Sequence, residues 1–393
     1  MADKYAEMEH KEYAKLVMAP GEQTWSQKIL NFAKGTTFSA VLVLTGISGF
    51  TYAFYVCAVL LLLSPKLLFF FFNFVQVTWN QIVVLGLRCL HNCSYKHYGE
   101  TFRPKDKKIL ILANHRTRMD WLIILNFLYN HGKVGGLRFS LKAPLRFVPG
   151  VGWFLSLACH VFLKRRFEDD REHILDCLEL YSKTMDNVSF YFFPEGTVYW
   201  PDMIRKSNSF AKKAGVEPLS HLLLPRTTGF KFLMENEDNF FDAIYDITTS
   251  YEQHIPQHEP ALFTGCMPPV TNVVLKRYEI ASAKKDPERF LEKIWREKDK
   301  MLDEHFADKT YYDNQQILQP YSTSVFENAA KCFGVLFWCW RTFVHLTNFW
   351  AFLPFLTIAI VTTIFVQQKF FSLSYCLTRI LKAQRFLRWK KIQ

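Results

Sequence analysis

The sequence predicts an α/β domain held between apolar membrane segments. Three observations carry this. Apolar stretches long enough to cross a bilayer lie near both ends of the 393-residue chain. Between them, short apolar runs alternate with amphipathic stretches. The 38 Phe gather in the end segments, so aromatic excess and membrane-like composition coincide.

In chain order, residues 1–37 form a polar, mixed-charge segment, and the first apolar stretch begins too late for a cleavable signal. Phe38–Leu63 is 26 residues without a charge, which predicts a span. Leu67–Leu87 is apolar but carries Asn73, Gln76, Asn80 and Gln81. It reads as a second span or a helix returning through one leaflet, giving a membrane hairpin over 38–90. Residues 91–320 form the α/β domain. Its apolar runs are ILILA, HVFLK, SFYFF, LLLP and TNVVLKRY, and Asp286-Pro287 opens a helical stretch through Phe306. Residues 331–366 predict a second hairpin, weakened in its first half by Arg341 and His345. From 367 to 393 basic residues are interleaved with Leu377, Ile380, Leu381 and Leu387, and no acid occurs, which predicts a basic amphipathic surface helix.

The net charge of +12 suits either nucleic acid or an anionic membrane surface. No nucleic-acid-binding motif is present, and the apolar ends favour the membrane. The nine Cys show no Cys-x-x-Cys pair and read as reduced thiols. His254–Glu259 (HIPQHE) reads as a surface loop, so no metal is expected. Asn92-Cys93-Ser94 and Asn187-Val188-Ser189 match glycosylation acceptors; the second enters a predicted strand and reads as silent.

The stretch NHRTRMDW, Asn114–Trp121, follows ILILA and places His115 and Asp120 five positions apart. On one continuous helix that offset turns side chains apart by about 140°. They meet only if Ile109–Ala113 is a strand and a helix begins between them. Two readings stand level. Thr117-x-x-Asp120 is a capping box in which Asp120 satisfies backbone donors. Alternatively, Asp120 fixes the tautomer of His115, whose other nitrogen takes a proton from a hydroxyl. No Gly-x-Ser-x-Gly elbow occurs, so that hydroxyl would belong to the substrate and transfer would be direct. A second constellation agrees: the strand run Ser189–Phe193 ends in Pro194-Glu195-Gly196-Thr197, where a glycine admits close backbone approach. Pro225-Arg226 follows another apolar run, and Lys142 precedes a Pro-Gly turn.

Asn-His-x4-Asp, a strand ending Phe-Pro-Glu-Gly-Thr, and a proline near the end of a later strand, LLLP, resemble, in order and spacing, the motifs of the glycerophospholipid acyltransferases. NHRTRMDW, LKAPLRFVPGVGW and PRTTGF are similar to the lysocardiolipin and lysophosphatidylinositol acyltransferase branch. The resemblance implies a mixed central sheet flanked by helices, acyl-CoA as co-substrate, a lysophospholipid acceptor and no cofactor. It makes His115 the base and Asp120 its partner. Arg165 would contact acceptor phosphate, and Glu195, Gly196 and Thr197 would shape the acceptor site. Lys142 and Lys206 would add positive charge; for Lys206 an ordinary solvated lysine is an equal reading. Pro225 would line the acyl-CoA site, with Asn114 and Arg226 beside these motifs. Two departures bear on headgroup and chain preference: VYWPDMIRKSNSF follows the third motif, and Leu224 precedes Pro225 where the branch has His.

The expected function is acyl transfer to the free hydroxyl of an anionic lysophospholipid, with lysophosphatidic acid acylation as the alternative. A non-catalytic membrane-shaping hairpin protein is the rival from another class. The expected location is the endoplasmic reticulum membrane, multi-pass, with the catalytic domain cytoplasmic; mitochondria-associated membrane is the alternative.

Overall fold

The computed structural model describes residues 23–164, 166–236, 240–251, 255, 259–265, 267–307, 312, 315–318, 325–370, 376–380 and 383. In chain order these form α1 (Trp25–Leu63), α2 (Pro65–Cys89), β1 (Ser94–Gly99), β2 (Lys108–Ala113), α3 (Asp120–Asn130), β3 (Leu137–Lys142) and a 3-10 turn, Ala143–Phe147. Next come α4 (Val151–Leu157), β4 (Val161–Leu163), α5 (Phe167–Thr184), β5 (Val188–Phe192), α6 (Pro201–Ala214) and α7 (Thr227–Asn236). The remainder is β6 (Ala243–Tyr251), α8 (Pro260–Thr264), β7 (Val270–Glu279), α9 (Ile280–Lys285), α10 (Pro287–Ala307), α11 (Val325–Thr347) and α12 (Phe349–Phe370).

The chain forms two compact units. The first takes Met1–Ser39, Val84–His131 and Tyr191–Tyr321; the second takes Ala40–Val83, Gly132–Phe190 and Ser322–Gln393.

In the first unit the strand order is β1-β7-β6-β2, and the sheet is mixed. β1 runs parallel to β7, β7 antiparallel to β6, and β6 parallel to β2. The register pairs Ile109 with Ala243 and Ala113 with Ile247. Ile109–Ala113 is fully buried, as a strand covered on both faces requires. β6 is buried at all nine positions although it reads AIYDITTSY. Its Asp246, Thr248, Thr249 and Ser250 break up any apolar run, so pattern reading passes over it. α7 and α10 pack through Phe230 stacked on Phe290, and Trp295 of α10 is also buried. α10 begins at Pro287, where the Asp286 carboxylate accepts Arg289 N–H at 3.0 Å. The run LLLP is not a strand. Leu223 N–H donates to Glu195 Oε2 and Leu224 N–H to Ser207 Oγ, so its donors meet side chains instead of a neighbouring strand.

In the second unit β3 runs parallel to β4, pairing Ser140 with Val161. Two of the polar residues that interrupt α2, Asn73 and Gln76, have work here. Gln76 Nε2 donates to the carbonyls of Val134 and Leu137 at 2.6 and 3.0 Å. Gln76 Oε1 and Asn73 Oδ1 accept from the fully buried Arg138 guanidinium. α1, α2 and α12 are long and apolar enough to cross a membrane. α1 starts at Trp25, well before the first uncharged stretch, because helical hydrogen bonding continues through Lys28 and Lys34. α11, with Arg341 and His345, does not meet the same measure among the described residues. Most of the basic tail and most of His254–Glu259 lie outside the described residues.

Candidate active site

The candidate site forms at the end of β2 in the first unit. Asn114 closes the strand like one more rung of the ladder. Its Oδ1 accepts Thr249 N–H at 2.8 Å and its Nδ2 donates to Thr249 O at 3.0 Å. Both sides of the amide are thus taken by β6, and the side chain is buried. Asn114 thereby fixes where the chain leaves the sheet.

His115 comes next, and its main chain is gripped twice. Its N–H donates to Glu195 Oε1 at 3.0 Å, and its carbonyl accepts Tyr199 N–H at 2.8 Å. Its ring stacks on Phe193, with centroids 4.1 Å apart and planes 24° apart. Nδ1 lies 2.9 Å from Asp120 Oδ2, and the imidazole is 18% exposed against 3% for the carboxylate. An ionised carboxylate only accepts, so Nδ1 carries the hydrogen and Nε2 keeps its lone pair.

Asp120 opens α3, and its carboxylate serves three donors. Oδ2 accepts both His115 Nδ1–H and Thr117 N–H, the latter at 3.0 Å. Oδ1 accepts the Tyr251 hydroxyl. Thr117 Oγ1 accepts Met119 N–H at 3.1 Å. Thr117 does not cap α3: the helix starts at Asp120 after Met119, which makes no side-chain cap, and only the Thr117 N–H to Asp120 bond of the expected capping box forms, on the oxygen that also meets His115. The two readings of Asp120 are geometrically compatible rather than exclusive.

Glu195 sits in a turn whose Gly196 N–H donates to Phe193 O at 3.0 Å. Gly196 adopts a φ of 68°, a left-handed conformation that favours glycine. A Cβ there would lie 3.2 Å from Arg226 Cδ, so the stem of Arg226 lies along this turn. Arg226 N–H donates to Pro194 O at 2.8 Å, which ties the Pro225 loop to the Glu195 turn. The Glu195 carboxylate is buried and, among the described residues, accepts main-chain donors from His115 and Leu223. Burial pushes its acid up to about 7, against the pull of those two N–H groups. Glu195 thus pins the His115 main chain to the Leu223–Arg226 loop.

The other expected site residues are distributed unevenly. Thr197 is half-buried beside the same turn, and Arg226 is exposed. Lys206 is exposed on α6, and no described contact joins it to His115 or Glu195. Lys142 ends β3 in the second unit, and Arg165 lies outside the described residues. No group of three His, Cys, Asp or Glu able to hold a metal occurs among the described residues.

Sequence reasoning missed Tyr251, Phe193 and the pair Lys298–Asp246. Tyr251 is 131 positions from Asp120 and carries no motif. Lys298 Nζ lies 2.7 Å from Asp246 Oδ1 and donates to Ile247 O, with both side chains buried. Burial pushes the lysine down and the aspartate up, and each charge opposes the shift of the other. The helical spacing of α10 placed Trp295 and Leu302 inward, and Lys298, between them, was the one available signal.

The acyltransferase family model matches residues 94–252, and a model of the acyltransferase C-terminus matches 261–340. Lysocardiolipin acyltransferase 1 of Gallus gallus is 30% identical over 349 residues, covering 86% of this chain and 92% of that protein. The protein of the same name from Danio rerio is 32% identical over 68% of this chain and 70% of its own length. Lysophosphatidylinositol acyltransferase 10 of Caenorhabditis elegans is 32% identical over 52% of this chain and 55% of its own. With His115, Asp120 and Glu195 inside the matched stretch, the chain belongs to the glycerophospholipid acyltransferase family, in its lysocardiolipin and lysophosphatidylinositol acyltransferase branch, and is an O-acyltransferase.

Proposed function

We propose that this protein transfers a fatty acyl chain from acyl-CoA to the free hydroxyl of an anionic lysophospholipid, directly and at a membrane. The observation that carries the reading is the His115–Asp120 contact, which leaves Nε2 as the free acceptor on a partly exposed ring. The acceptor hydroxyl gives its proton to Nε2 as its oxygen attacks the thioester carbonyl. The tetrahedral intermediate then collapses, the C–S bond breaks, and the departing CoA thiolate takes the proton back from the imidazolium. The products are a phospholipid ester and free CoA, and His115 is regenerated.

Asp120 stabilises the imidazolium between these steps. Glu195, Gly196 and Thr197 shape the acceptor side by holding the turn beside His115. Arg226, exposed with its stem along Gly196, is proposed to meet acceptor phosphate through its planar fork, and Pro225 to border the donor. Roles for Lys142, Arg165 and Lys206 at phosphate come from the family resemblance and are tested by substitution. Anionic acceptors are favoured because choline or ethanolamine would bring a second positive charge to these cations. The names of the relatives support lysocardiolipin or lysophosphatidylinositol ahead of lysophosphatidate.

The catalytic domain is proposed to comprise 91–320, with membrane segments at 38–90 and 331–366, and to face the cytoplasm at the endoplasmic reticulum. The apolar helices support membrane association, and acyl-CoA is made on the cytoplasmic side. The bilayer-shaping alternative loses ground to membership of an enzyme family with the His–Asp pair present.

The test is a lysophospholipid panel with labelled acyl-CoA and purified full-length protein. His115→Ala should lower turnover by about 10²–10⁴-fold with insertion unchanged. Preference for lysophosphatidylcholine at physiological salt would remove the anionic-acceptor reading, and full activity in His115→Ala would remove the mechanism.

A further inference from the structure

In the second unit, α1, α11 and α12 enclose a groove of about 540 Å³. Its walls are apolar, with Tyr52, Val56 and Leu60 on α1 facing Phe352 and Phe355 on α12. The helices around the groove are tied to their neighbours by specific contacts. Gly49 lets the Trp338 ring approach so closely that an added Cβ would lie 2.4 Å from it, and Trp338 Nε1 donates to Thr78 Oγ1 at 2.9 Å. Tyr55 Oη donates to Phe355 O at 2.9 Å.

One end of the groove carries Arg341. Its guanidinium lies 5.0 Å from the Tyr52 ring and donates to His345 Nε2 at 2.9 Å. A guanidinium can only donate, so Nε2 accepts and Nδ1 carries the ring hydrogen, which goes to Ser48 Oγ at 2.6 Å. His345 is therefore neutral and supplies no counter-charge. Arg341 Nε is buried without a hydrogen-bond partner, and no carboxylate pairs with Arg341 among the described residues. A guanidinium in apolar surroundings is strongly disfavoured without an anion. α1 and α12 are long and apolar enough to cross a bilayer, so phospholipid is the ligand the groove would meet.

We propose that this groove binds one anionic glycerophospholipid of the bilayer, its phosphate on Arg341 and one acyl chain along α1 between Thr51 and Leu60. That stretch is about 14 Å of helix. The planar fork suits a phosphate, and the apolar wall suits the chain. No described carboxylate lines the groove to receive a choline or ethanolamine, so a net-anionic headgroup is selected. The site lies in residues of the second unit, whereas His115, Asp120 and Glu195 belong to the first, and it does not depend on which lysophospholipid is acylated.

The experiment uses delipidated full-length protein in detergent, titrated with phosphatidylglycerol or phosphatidylcholine, with bound lipid counted by native mass spectrometry. The wild type should retain one phosphatidylglycerol in preference to phosphatidylcholine. Arg341→Gln should weaken that binding at least about tenfold, as loss of a charged hydrogen-bonding partner does. Val56→Trp fills the groove while leaving Arg341 intact, and it should abolish retention in a normally folded protein. Retention by Val56→Trp overturns the proposal whatever Arg341→Gln does, including failure to fold. Equal retention of the two lipids overturns it in favour of bulk lipid coating. Displacement of phosphatidylglycerol by an equal concentration of inorganic phosphate, or of palmitate, overturns it in favour of a free anion or a fatty acid.

Discussion

Replacing Asp120 with Asn separates its charge from its hydrogen bonding. Oδ2 accepts from two groups, His115 Nδ1–H and Thr117 N–H. An asparagine has one oxygen and one NH2. Turning the NH2 toward Thr117 would set donor against donor, so the amide oxygen is held on the His115 side. The NH2 then faces the Tyr251 hydroxyl, which can turn to accept. The tautomer of His115 survives, and what is lost is the negative charge. At 2.9 Å, opposite unit charges attract by about 6 kcal/mol at an effective dielectric near 20. A neutral hydrogen bond is roughly half as strong as a charge-assisted one. The loss of imidazolium stabilisation is then about 3 kcal/mol, or about 10²-fold in kcat. The assay is single-turnover release of CoA with a saturating acceptor, alongside the melting temperature. A near-wild-type rate with a lowered melting temperature would mean that Asp120 serves only the helix start. A loss equal to that of His115→Ala would mean that the tautomer is not held by Thr117.

Three further outcomes follow from the same site. Tyr251→Phe removes a donor to a buried carboxylate and should cost about 1.5–3 kcal/mol of stability, read by thermal denaturation, with a smaller fall in kcat than Asp120→Asn. Lys298→Met leaves Asp246 charged and unpaired in the core and should destabilise by about 3–5 kcal/mol, whereas the double replacement Lys298→Met, Asp246→Leu should recover much of it. Glu195 is held near 7 in the folded protein and titrates near 4.5 when unfolded. Between those values the native state binds more protons, so its contribution falls as pH rises from about 4.5 to about 7, by about 3 kcal/mol. Melting temperature against pH should show this slope in the wild type and a flatter one in Glu195→Gln; identical slopes would contradict it.

Much of the organisation was legible before any tertiary contact was known. The buried strand before His115 follows from ILILA, because it depends on neighbours within a few positions, whereas the helix after it starts at Asp120 without the expected Thr117 cap. The strand before Pro194-Glu195-Gly196, the start of α10 at Pro287 and the apolar helices are local in the same way. The family, too, was readable, because its motifs are short and ordered.

Tertiary structure decided what each polar group does. Parallel pairing of β2 with β6 in a register matching Ala113 to Ile247 brings Thr249 to Asn114 and Tyr251 to Asp120. No spacing in the chain encodes that register, since β6 has no apolar run to announce it. The same pairing makes Asn114 a strand closure. Both oxygens of Glu195 meet main-chain donors from segments 80 and 28 positions away, partners that its short motif does not name. LLLP was expected as a strand and became a loop because those N–H groups find side chains instead. A side chain's type and periodicity are local properties, whereas the partner that satisfies a buried donor is fixed only when distant segments are packed together.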